Sequence, residues 1–153
     1  MTTLGKSKNG MTLIEIAIAI GIMTLIVSFS MVTDLNFLKS DALRSEESII
    51  VSALVKARSR SMSNLFQSAH GFCYISPNYV VFRDSPTTRC VSGVTTNELI
   101  PANINIANNS STIFPGPVIF SQLAGTTTDG IIHITDGIKS EDITINYEGR
   151  INW

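Results

Sequence analysis

The chain predicts an α+β fold: a long N-terminal α-helix, membrane-spanning in its first half and amphipathic in its second, packed on a C-terminal antiparallel β-sheet or β-sandwich. Three observations predict it. Residues 11–33 are mostly Ile, Ala, Met, Leu, Val and Phe, and Glu15 is the one charge among them. Residues 34–62 carry apolar side chains at three- and four-residue steps. Beyond Ser68 the helical period gives way to short β runs between turn residues.

Ten residues, 1–10, stand in front of the apolar run, and their only charges are Lys6 and Lys8. The run itself is long enough to cross a bilayer core as a helix at about 1.5 Å per residue. A carboxylate five residues into such a run is costly. Insertion scales put an acid there at roughly 2.5–3.5 kcal/mol, which makes Glu15 a functional residue by default. An ordinary secretory signal is cut after its apolar segment, and no convincing small-residue cleavage motif stands near residues 28–33.

In the second half of the helix, residues 34–65, Leu35, Leu38, Ala42, Ile49, Ala53 and Ala57 form one arc, flanked by Leu43, Ile50 and Leu54. Ser45, Ser48, Ser52 and Lys56 fall opposite. This half predicts one face against a globular domain, residues 66–153. There, residues 72–75 and 79–83 read as a hairpin around Ser76-Pro77-Asn78. Residues 85–96 read as a polar loop. Ile104 and Ile106 alternate with Asn103 and Asn105, the pattern of a half-buried strand. Residues 118–123, 131–135 and 143–147 complete the strands, with turns at Asp129-Gly130, Asp136-Gly137 and Glu148-Gly149. Tyr147 and Trp153 are expected to pack the last strand onto the sheet rather than to serve a partner.

The leader, Gly10, Met11, Thr12-Leu13-Ile14 and Glu15 together resemble the processing site of type IV pilins and pseudopilins. The resemblance implies cleavage by a prepilin peptidase between Gly10 and Met11, N-methylation of Met11, and an assembly salt bridge from Glu15 to a neighbouring subunit's N-terminal amine. Major type IV pilins commonly carry a proline about a third of the way along this helix. Val32 stands there instead, which points to a minor subunit. Leu54-Val55-Lys56-Ala57-Arg58-Ser59, Tyr79-Val80-Val81-Phe82-Arg83-Asp84, Ile113-Phe114-Pro115-Gly116 and the segment from Ile143 to Gly149-Arg150 resemble, in order, segments of H-type pseudopilins and T-type minor pilins (GspH/FimT).

The composition excludes much else. Side chains beyond Gly10 number nine Lys and Arg against twelve Asp and Glu, a net charge of −3 that does not steer towards nucleic acid. With two histidines, His70 and His133, and none of the common catalytic motifs, no enzyme is expected. His133 and Asp136 are three apart, a spacing that puts them on opposite faces of a strand. No metal or cofactor is expected: Cys73 and Cys90 lack paired ligand spacing, and Asp129, Asp136, Glu141 and Asp142 read as solvated turns. The two cysteines would lie in an exported domain, where a disulfide and free thiols stand about equal. Some T-type minor pilins are thought to capture DNA through a Gly-Arg-x-Arg group. Gly149-Arg150-Ile151-Asn152 lacks the second arginine, so Arg150 with Lys139 is a weak candidate contact.

The resemblance therefore implies a bacterial inner-membrane protein with its C-terminal domain in the periplasm, built into a type IV pilus or type II secretion pseudopilus. Its partners would be other pilins or pseudopilins, the prepilin peptidase and an inner-membrane assembly platform. A DNA-capturing minor pilin and a non-polymerising anchored periplasmic domain are the alternatives.

Overall fold

The computed structural model describes residues 12–153, with the side chains of residues 29–40 set apart. Gly10 and Met11, and with them the expected cleavage site, lie outside the described residues. The chain divides between Leu38 and Lys39 into two compact units. Helix α1 spans Leu13–Met62 and contributes to both. Among the described residues no helix is long and apolar enough to cross a membrane.

In the second unit, α1 is followed by a short 3₁₀ turn, Leu65–Gln67, and then by β1 His70–Ile75 and β2 Asn78–Arg83. Strand β3 is Glu98–Pro101, helix α2 Ile104–Ala107 and β4 Val118–Phe120. Strands β5 Gly130–Thr135, β6 Ser140–Ile145 and β7 Ile151–Asn152 close the chain. They form two antiparallel sheets, β3-β2-β1-β4 and β5-β6-β7. The fold class is α+β.

The amphipathic part of α1 forms because its apolar stripe has both sheets to cover. Leu43, Ile50, Ala53, Leu54 and Ala57 share one core with Phe72, Tyr79, Val81, Val118 and Phe120 of the first sheet and Ile132, Ile134, Ile143 and Ile145 of the second. The first sheet is buried on its other face too. There Cys73, Val80 and Phe82 pack with Ile75, Ile119 and Cys90, the last from the loop 85–96. A Cys73–Cys90 disulfide holds that loop against β1, with Cα atoms 5.9 Å apart. Period-2 alternation thus serves two cores in this sheet, so its central strands show near-continuous apolar runs.

Three expectations are corrected. Ile104 and Ile106 lie in a helix, α2, not a strand. Alternation over four residues does not separate the two periods. What decides is capping, because the Asn103 side chain accepts a hydrogen bond from the Asn105 amide. The strand of this region is instead β3, which pairs along β2 from Val81↔Glu98 to Asn78↔Pro101. Finally, Tyr147 and Trp153 do not pack onto the sheet; each is 68% exposed.

Candidate functional site

The first site is the start of α1. Thr12 stands just before the helix, and Glu15 is three residues on. The Glu15 carboxylate accepts hydrogen bonds from the Thr12 amide and the Thr12 hydroxyl, both at 3.0 Å, and the Glu15 amide donates to Thr12 Oγ1 at 3.4 Å. This is a capping box, which satisfies amides that a helix start otherwise leaves unpaired. Thr-x-x-Glu before an apolar run signals it in sequence, so Glu15 has a local role beside any intermolecular one.

Behind it, Leu13, Ile14, Met23, Leu25 and Ile26 are all more than 60% exposed. The hydroxyls in this stretch turn inward on the backbone: Thr24 Oγ1 donates to the Gly21 carbonyl at 2.9 Å and Ser28 Oγ to the Thr24 carbonyl at 2.8 Å. Such back-bonding leaves the described surface of the stretch aliphatic, with its hydroxyls needing no outside partner.

The second site lies where the end of α1 meets the β6–β7 turn. Arg58 Nη2 donates to the Glu148 carbonyl at 3.0 Å. Next to it, Gly149 has φ +72°, and a Cβ there would stand 2.1 Å from the Gly125 carbonyl oxygen and 3.0 Å from Arg58 Nε. Only glycine fits both the dihedral and the space. One residue turn further, the Ser61 hydroxyl donates to the Phe120 carbonyl at 3.0 Å and accepts from the His70 amide at 2.8 Å. Arg58 of the Ala-Arg-Ser segment therefore meets the turn at Glu148 and Gly149, remote in sequence, and clamps it to the helix.

Arg150 is exposed beside this clamp, while Lys139 lies at the other end of β6. Six strand residues separate them, about 17 Å of rise at the usual strand spacing. The structure does not bring the two candidate DNA contacts together.

Three polar clusters escaped sequence reasoning. Glu46 is buried on the helix face, where its Oε1 accepts from the Tyr79 hydroxyl at 2.6 Å and the Asn103 amide at 2.8 Å. Burial first, and the bond to Glu46 second, push the Tyr79 phenol far above its usual range, so it stays a neutral donor. Glu98 on β3 is held between Lys56 and Arg60 of α1, one cation on each carboxylate oxygen. His133 pairs across the strands with Asp142 at 2.5 Å rather than with Asp136. Among the described residues, no three His, Cys, Asp or Glu side chains come together as a metal site.

This chain matches no protein-family model, no curated protein and no solved structure. The class that fold and site define is an α+β domain carried on a helix whose N-terminal part is aliphatic over its described surface.

Proposed function

We propose that the chain is a minor pilin or minor pseudopilin subunit, which assembles through its N-terminal helix into a type IV pilus or a type II secretion pseudopilus. The observation that carries the reading is the Gly10-Met11-Thr12-Leu13-Ile14-Glu15 motif at the head of a helix whose apolar side chains find no cover within the described chain. Removing residues 1–10 exposes the Met11 amine. That amine then meets the Glu15 carboxylate of a neighbour, and pairing lowers the cost of holding either charge in an apolar bundle. Residues 11–33 cross the inner membrane before assembly and line the filament core after it. The β domain stands in the periplasm and sets which subunits it meets.

The capping box sharpens the test. Glu15→Gln keeps a capping residue but removes the charge, whereas Thr12→Ala weakens the cap and keeps the charge. Under this reading Glu15→Gln and Glu15→Val lose incorporation into sheared filaments while membrane anchoring persists, and Thr12→Ala assembles. Should Glu15→Gln assemble normally and Thr12→Ala fail, Glu15 is a helix cap only and the reading falls. Gly10→Ala is expected to leave the precursor uncut, seen by N-terminal mass analysis.

A further inference from the structure

The second unit holds a cleft of about 490 Å³ between the end of α1, the 3₁₀ turn and the ends of β2 and β3, with walls that include Arg60, Leu65, Phe66, His70, Arg83 and Asn97. That volume lies within the range of small-ligand sites. Its charge is unbalanced. Arg60 is already engaged by Glu98, whose other oxygen holds Lys56. Among the described residues no carboxylate lies within ion-pair distance of Arg83; its described neighbour is the Phe66 ring, whose centroid is 5.9 Å from the guanidinium carbon.

The turn that presents Phe66 is strained. Asn64, Phe66 and Gln67 all have left-handed φ, at 55°, 58° and 52°. For Phe66 and Gln67, which lack the tolerance of glycine or asparagine for this region, such backbone is strained. The strained turn leaves Phe66 70% exposed and Leu65 39% exposed at the cleft. The opposite wall carries an unmet acceptor. Both donors of the Asn97 amide are used, by the Thr88 carbonyl at 2.9 Å and the Val91 carbonyl at 3.0 Å. This fixes the amide's orientation, and its Oδ1 is buried with no hydrogen-bond partner.

We propose that this cleft binds an acidic peptide segment, with a Glu or Asp carboxylate on Arg83 and an apolar neighbour against Phe66 and Leu65. One unpaired guanidinium calls for one negative charge, and its planar fork matches a carboxylate. A free phosphate offers no apolar group to Phe66 and Leu65. The site is separate from the N-terminal assembly motif, so it stands whether or not the chain forms filaments.

His70, on the cleft wall, is the reporter. Burial holds its imidazole below the usual histidine range; the Ser68 carbonyl opposes this, and Arg60 and Arg83 reinforce it. A carboxylate seated on Arg83 adds negative charge beside the ring and shifts its NMR signals, while His133, paired with Asp142 elsewhere, serves as the control. The full chain in zwitterionic detergent is titrated with acetyl-Gly-Leu-Glu-Leu-Gly-amide and with its glutamine counterpart. The expected result is a saturable His70 shift with the glutamate peptide. The glutamine peptide and Arg83→Gln should each bind at least about tenfold more weakly, as loss of one charge-assisted contact implies. Phe66→Ala should weaken binding severalfold, and Arg83→Lys should retain part of it with unchanged circular dichroism. Equal binding of the glutamine peptide, an Arg83→Gln variant that binds as well as the parent, or an equal His70 shift with sodium phosphate at matched ionic strength would overturn the proposal.

Discussion

Residues 13–27 and 43–57 are both helical and both rich in aliphatic side chains, yet their fates differ. In the first, Ile16, Ile18, Ile20 and Ile22 are 48–59% exposed; in the second, Leu43, Ile50, Ala53, Leu54 and Ala57 are at most 1% exposed. The chemistry of the side chains is the same, and the difference is what faces them. Two sheets cover the second stretch, and none of the described residues does so for the first. Leaving apolar surface in water is unfavourable by about 25 cal/mol per Å², a cost that the second stretch escapes and the first, among the described residues, does not.

Four perturbations, with Ile20→Ala as the control for the first, test that contrast from large effect to small. Leu54→Ala opens the shared core and is expected to cost about 2–5 kcal/mol in urea unfolding. Ile20→Ala should leave the same transition within about 0.5 kcal/mol, because its side chain supports no core of the second unit. If the two variants destabilise alike, the contrast is broken. Next, replacing Cys73 and Cys90 together by serine frees the loop over the outer face of the first sheet. Opening a loop of this length costs about 3 kcal/mol on chain-entropy grounds, and adding reductant to the parent protein should shift its unfolding midpoint in the same direction.

Tyr79→Phe comes third. It removes the donor that Glu46 accepts inside the helix–sheet core, at a cost of roughly 1–3 kcal/mol. Its pH signature separates it from a packing defect. The folded phenol holds its proton to higher pH than the unfolded one, so the stability it contributes is complete below about pH 10 and declines above it. Parent unfolding free energy should therefore fall more steeply with alkaline pH than that of Tyr79→Phe. Lys56→Ala is the mildest, below about 1 kcal/mol, because the ion pair is partly exposed and salt-screened. Lys56 first, then Arg60, hold the Glu98 carboxyl below its usual range against its desolvation, so the pair's contribution is present above the ordinary carboxylate pKa and lost as pH falls.

The long helix, the hairpin around Ser76-Pro77, the loop 85–96 and the turns at Asp136-Gly137 and Glu148-Gly149 are legible in the sequence, because each depends on local periodicity or on residues with special backbone freedom. The Thr12–Glu15 cap is local as well, three residues apart, and its pattern was there to be found. Helix α2 was misread because four alternating residues fit two periods until Asn103 is seen capping. Nothing local in the sequence marks Glu46 as buried. Its burial depends on Tyr79, 33 residues away, and on Asn103, 57 residues away.

By itself, then, the sequence determined the α+β class, the long helix and the Thr12–Glu15 cap, all of which follow from neighbours along the chain. The tertiary structure decided the rest: the joining of Cys73 to Cys90, the clamp of Arg58 on the turn before Gly149, the choice of Asp142 over Asp136 for His133, and the cleft that sets Arg83 beside Phe66 and His70. Each of these depends on strand register and on the side of a sheet to which a helix docks, which are set by the packing of the whole core and by no short stretch of residues.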